Sequence, residues 1–146
     1  MNPEKHQETL VEVFDTIEKA LKDERGLLVH QRRLMAMISL GASQLVELYF
    51  HKLRIIKPGS QIKHDWFGSS ERKLRLRLQP LLTKPIDGVD RIDEVIGYAS
   101  KIEGRRNEIV YGAPLEGDKE LREKIDLFIS LKETVEELTG EKVGPQ

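Results

Sequence analysis

Apolar residues recur at three- and four-residue steps along most of the chain, the spacing that gives a helix one apolar face. Leu10, Val13, Phe14, Ile17 and Leu21 form the first such set. It follows Asn2 and Pro3, a capping residue and a proline suited to a first helical turn, and it runs to about residue 25, where Gly26 ends it. A longer set, Leu34, Ile38, Ala42, Leu45, Tyr49, Leu53 and Ile56, predicts a central helix over residues 28–56. Its Ala36, Ser39, Gly41, Ala42 and Ser43 are small enough for another helix to approach closely, within the core or in a dimer. Gly41 costs about 1 kcal/mol against alanine unless such packing offsets it. Pro58 and Gly59 then signal a turn.

Residues 62–67 are mixed in character. Ile62, Trp66 and Phe67 are expected to cap the core with Lys63 and His64 in water, or else the loop forms an aromatic and basic lip for a nucleotide or strand. Ser69 or Ser70 can cap a short third helix through Gln79, with Leu74 and Leu78 inward. Residues 73–78 also alternate strictly, as a strand would. A helix is preferred because no second strand is evident to pair with them. Residues 83–87 read as linker, with Asp87 capping a fourth helix. Val89, Ile92, Ile96, Ala99 and Ile102 carry that helix onward through Tyr111, until Gly112 and Pro114 end it. In a continuous helix Glu103, Asn107 and Tyr111 form one row, with Arg106 in line with the apolar stripe. Leu121, Ile125, Phe128, Leu131, Val135 and Leu138 predict a last helix between Asp118 and Gly140, and residues 144–146 read as a frayed end. The expected fold is all-α: an antiparallel, up-and-down bundle of about five helices in one domain, residues 1–146, with its core over about 27–139.

A chain of 146 residues can bury such a core without metal or disulfide. It has no cysteine, which excludes disulfides, thiolate ligands and a thiolate nucleophile. With no signal sequence and no long apolar run, a soluble cytoplasmic protein without membrane contact is expected. Charged residues make up 34% at a net charge of −1, so distribution matters more than the total. Between residues 51 and 79 eight Lys or Arg face only Asp65 and Glu71, whereas residues 116–142 hold nine acids against five bases. The middle segment can therefore meet a phosphate-rich partner, or the acidic face of another copy. Of the four histidines, His6 reads as exposed and His51 as a surface pair with Glu47. No two stand at helical i, i+4 spacing, so neither a metal site nor a cofactor is expected. There is no Gly-rich phosphate loop and no serine-nucleophile motif.

Chemistry concentrates in residues 103–112. The string Arg106-Asn107-Glu108-Ile109-Val110-Tyr111-Gly112 resembles the signature of the HEPN superfamily, helical domains of prokaryotic toxin–antitoxin and defence systems. That signature is an arginine, commonly followed by asparagine, then a histidine after about four to six residues. Four residues separate Arg106 from Tyr111 and five separate Arg105 from it, with tyrosine where the family has histidine. The resemblance implies a homodimer whose motif groove binds RNA, a nucleotide or a partner protein. It also implies a nucleotidyltransferase-type partner, Arg106 as phosphate clamp, Asn107 as positioning group and Tyr111 in the acid–base position. A phenol, ordinarily near a pKa of about 10, is a poor base at neutral pH beside an imidazole near about 6.5, so weakened or absent catalysis is expected. Arg105, Lys63, His64, Arg72, Lys73, Arg75 and Arg77 are the expected nucleic-acid contacts. Two alternatives stand beside this reading. One is an active metal-independent endoribonuclease in which Tyr111 donates a proton and His64 supplies the missing imidazole. The other is a helical dimerisation module in which Arg106 pairs with Glu103.

Overall fold

The computed structural model describes residues 3–144, with side chains described from Lys5 onward. Within them the five predicted helices occur as six α-helical segments: α1 (Pro3–Lys22), α2 (Gln31–Lys52), α3 (Glu71–Leu78), α4 (Ile92–Glu103), α5 (Arg106–Tyr111) and α6 (Lys119–Thr139). Short 3₁₀ turns occur in the connections, and the described residues contain no strand, only one isolated antiparallel bridge between Ile56 and Leu82. The predicted cap Asn2 lies outside the described residues, as do Pro145 and Gln146. No described helix is long and apolar enough to cross a membrane.

The central element is α2, as its long apolar line requires. Leu34, Met35, Ile38, Leu45, Leu48, Tyr49 and Phe50 are fully buried, and α1, α4, α5 and α6 all pack against them. Leu10, Val13, Ile17 and Ala20 seat α1 in the same cluster, which at the other end reaches Val143, so the core extends beyond residues 27–139. Gly41 serves the core: an added Cβ there would lie 2.7 Å from Phe128 of α6 and 3.0 Å from Val13 of α1. Residues 73–78 are helical, and Ser70 caps α3 by accepting from the Lys73 N–H at 3.3 Å.

Several boundaries differ from expectation, each for a local reason. The first helix stops at Lys22 rather than near residue 25, because the Asp23 carboxylate accepts the Arg25 N–H and Gly26 turns the chain at a φ of 91°. Ala20 takes the inward position, leaving Leu21 half exposed. The second helix begins at Gln31, after a 3₁₀ turn at Leu27–His30, and ends at Lys52. Beyond it Arg54 adopts a left-handed φ of 59° and Leu53 turns partly outward. Asp87 does not cap the fourth helix. It sits in the turn Ile86–Gly88 and accepts from Arg75, while α4 starts after Arg91. Gly144 is not frayed, since its N–H donates to Gln7 Oε1 at 3.1 Å.

Tyr49 gives this core a pH dependence. Its hydroxyl donates to the Asp90 carbonyl, and burial, reinforced by Asp90 and opposed by Arg91, pushes its pKa up to about 12. A raised folded-state value favours the neutral phenol, so this contribution is complete below about pH 10 and is lost as pH rises through about 12. Urea unfolding between these values should show stability falling by up to about 1.4 kcal/mol per pH unit from this group. Tyr49→Phe should remove that part of the slope; an unchanged slope would contradict the assignment.

Candidate functional site

The predicted fourth helix breaks inside the motif. Glu103 is the last residue of α4, Gly104 leaves the helix, and Arg105 takes a left-handed φ of 63° before α5 starts at Arg106. Gly104 is the weakest helix former in the segment, and the carbonyls freed by the break find a partner. Lys124 of α6 donates through Nζ to Lys101 O at 2.7 Å and Gly104 O at 2.5 Å. Burial lowers the Lys124 pKa. The expected row of Glu103, Asn107 and Tyr111 therefore does not form: Glu103 turns inward, Asn107 is exposed, and Tyr111 stands 76% exposed at the far end of α5.

The break separates the two arginines chemically. Arg105 is held by Glu120 at 2.7 Å and Glu108 at 2.5 Å. Arg106 has no carboxylate partner among the described residues. Its Nη1 donates to Asn107 Oδ1 at 2.9 Å, and its buried Nε makes no hydrogen bond among them. The sequence offered Glu103 as its partner, but that carboxylate is used elsewhere. Both arginines and Asn107 line a cleft of about 390 Å³ with Asp65, Gly68, Ser69, Glu103 and Glu108.

Glu103 joins this cleft to His64. Its Oε1 lies 2.8 Å from His64 Nδ1, and its Oε2 accepts from the Ser39 hydroxyl at 2.5 Å. The same hydroxyl is 3.3 Å from His64 Nδ1. Glu103 and Ser39 are buried, while the His64 side chain remains 35% exposed. With Glu103 ionised, the Nδ1–H donates to it and the Nε2 lone pair is left for other chemistry, the arrangement that orients a histidine base. His64 thus belongs to the motif's surroundings rather than to open water. The sequence had raised this imidazole, but nothing in it marked Ser39 or Glu103 as its anchors, because a serine among small helical residues and a glutamate in a charged stretch carry no distinguishing signal.

The other expected nucleic-acid contacts divide. Arg75 is held among Glu71, Asp87 and Asp93, tying α3 to the start of α4, so its charge is compensated within the chain. Lys63, Arg72, Lys73 and Arg77 are exposed. Ile62 and Phe67 are buried and Trp66 packs partly against the core, as the loop's apolar residues were expected to do.

From His64 a second cleft of about 320 Å³ runs along one face of α2, past Leu40, Ser43 and Gln44 to Glu47. At its Glu47 end two expectations are corrected. His6 is fully buried, because the first turns of α1 lie against α2, and Glu47 with His51 faces inward toward it rather than pairing at the surface. Compared with known protein families, curated proteins and solved structures, the chain finds no match.

Proposed function

We propose that the protein is a HEPN-like, metal-independent ribonuclease, in which Arg106 binds the scissile phosphate and His64 replaces the histidine absent from position 111. The observation that carries this reading is Glu103. It fixes the His64 imidazole from one side and, on the other, lines the cleft of Arg106, which pairs with no carboxylate among the described residues. Arg106 would neutralise a phosphate oxygen while Asn107 orients its guanidinium. His64 Nε2 would take the proton from a ribose 2′-hydroxyl. The 2′-oxygen then bonds to phosphorus, the bond to the 5′-oxygen breaks, and water protonates the leaving oxygen. The products are a 2′,3′-cyclic phosphate and a 5′-hydroxyl, and DNA is not a substrate. The exposed Lys63, Arg72, Lys73 and Arg77 would hold flanking phosphates, whereas Arg75 and Arg105 are committed to acids.

The test begins with binding. Arg106→Ala should weaken single-stranded RNA by at least about tenfold at low salt, the loss of a charge-assisted contact worth roughly 1.5–3 kcal/mol. Replacing Arg72, Lys73 and Arg77 together should flatten the dependence of affinity on salt. Unchanged affinity in Arg106→Ala would remove the phosphate-clamp role. A second reading, a homodimer with its contact on α5, is favoured by Tyr111, a large side chain exposed beside the motif. In that case Tyr111→Ala lowers the sedimenting mass and RNA binding is absent.

A further inference from the structure

At the Glu47 end of the second cleft, three groups with metal-ligating atoms come from two helices. Glu47 and His51 are one helical turn apart on α2, and His6 reaches them from α1. One ligand atom from each lies within 4.8 Å of the others. Glu47 and His6 are buried and His51 is half-buried, which sets this group apart from the exposed acids common on protein surfaces. His6 Nε2 is 3.6 Å from Glu47 Oε2, and the His6 and His51 rings are 5.1 Å apart, tilted by 42°. Two ligands at about 2.0–2.1 Å from a shared tetrahedral ion stand about 3.3 Å from each other, so the spacing needs only small side-chain adjustments to close on one cation.

We propose that His6, Glu47 and His51 form a binding site for a divalent transition-metal ion, zinc fitting the ligand set best. Two imidazoles and a carboxylate suit zinc and leave a fourth position for water or a further ligand. Gln44 supplies the outer support such sites have: its Oε1 is 2.5 Å from His6 Nδ1, which fixes the proton there and turns Nε2 toward Glu47. A carboxylate and two imidazoles gathered away from bulk water are ligand types that a divalent cation brings together favourably. Glu47 Oε1 makes no hydrogen bond of good geometry among the described residues. Glu47 also borders the cleft that leads to solvent, giving an ion a route of entry. The competing account is a proton on His6 that forms an ion pair with Glu47. This site lies about 12 Å along α2 from Ser39, the anchor of His64, at about 1.5 Å per residue, so it is separate from the proposed ribonuclease centre.

The experiment is titration of tag-free, EDTA-stripped protein with zinc chloride by calorimetry, and with cobalt(II) followed by visible absorption. One zinc per chain, a thermal midpoint that rises with zinc, and intense tetrahedral cobalt bands are expected. Glu47→Gln and His51→Gln should each lower zinc affinity at least tenfold. The cobalt spectrum of the wild-type protein stands even if a core variant fails to fold. No zinc uptake by wild-type protein, weak octahedral cobalt bands, or uptake retained in folded Glu47→Gln and His51→Gln would overturn the site. RNA enters none of these measurements, so their failure is distinct from failure of the ribonuclease reading.

Discussion

His64→Ala should lower RNA cleavage in EDTA by about 10²–10⁴-fold, the range lost with a positioned general base, while RNA affinity stays within about threefold. The split follows from the geometry. His64 is held through Nδ1 by a buried carboxylate and is assigned the proton transfer, whereas Arg106, which has no carboxylate partner among the described residues, is assigned the phosphate. Arg106→Ala should therefore reduce both binding and rate, and His64→Ala the rate alone. Glu103→Gln adds a check on the anchor. The amide oxygen can still accept the His64 Nδ1–H while the amide NH2 donates to the Ser39 hydroxyl oxygen, so the fold should hold. It no longer stabilises the imidazolium that forms as the 2′-hydroxyl loses its proton, so cleavage should fall with affinity unchanged. Equal rates in wild-type and Glu103→Gln protein would show that the carboxylate only positions a loop. Gel-resolved single-turnover cleavage and filter binding measure the two quantities separately.

The largest expected effect on stability is at the contact between α2 and α6. Phe128 is fully buried, and its ring edge occupies the space that a Cβ on residue 41 would fill. Phe128→Ala should cost about 3–5 kcal/mol, as large core truncations do. Gly41→Ala alone should destabilise by about 1–3 kcal/mol, because steric overlap with a ring packed on both sides outweighs the helical preference for alanine. In the Phe128→Ala background the ring is gone, and the Val13 methyl, 3.0 Å from the added Cβ, can shift into the space it leaves. There Gly41→Ala should stabilise by about 1 kcal/mol, the intrinsic difference between glycine and alanine within a helix. A double-mutant cycle from urea unfolding thus predicts a change of sign between the two backgrounds. Equal effects in both would mean that Gly41 is not required by Phe128.

The helices were readable because each apolar line repeats over several turns, and burial at Leu34, Ile38, Leu45, Leu121 and Phe128 follows those lines directly. What could not be read depended on single residues whose local preference competes with contacts distant in sequence. Gly104 and Arg105 look like a tolerable interruption in a helix of good periodicity. The break holds because Lys124, twenty residues later, binds the carbonyls it frees. That event turns Glu103 inward and dissolves the polar row on which the motif was first placed. His6 was misplaced for a related reason: near a terminus and among charged neighbours it carries no sign of burial until α1 lies on α2 and Gln44 accepts its Nδ1–H. The helical bundle was legible, and the sequence narrowed Gly41 to a core or dimer contact and the α3 cap to Ser69 or Ser70. The partners of His64 and the cluster around Glu47 required the packing of separate helices.

Cleavage of single-stranded RNA in EDTA by wild-type protein and Tyr111→His, side by side, decides which position supplies the imidazole. If His64 supplies the imidazole, wild-type protein cuts RNA to 2′,3′-cyclic phosphate ends and Tyr111→His changes the rate little, since position 111 points into solvent. A silent wild-type protein that gains cleavage with Tyr111→His would contradict it, showing that the histidine this chemistry needs belongs at position 111 and that His64 does not replace it.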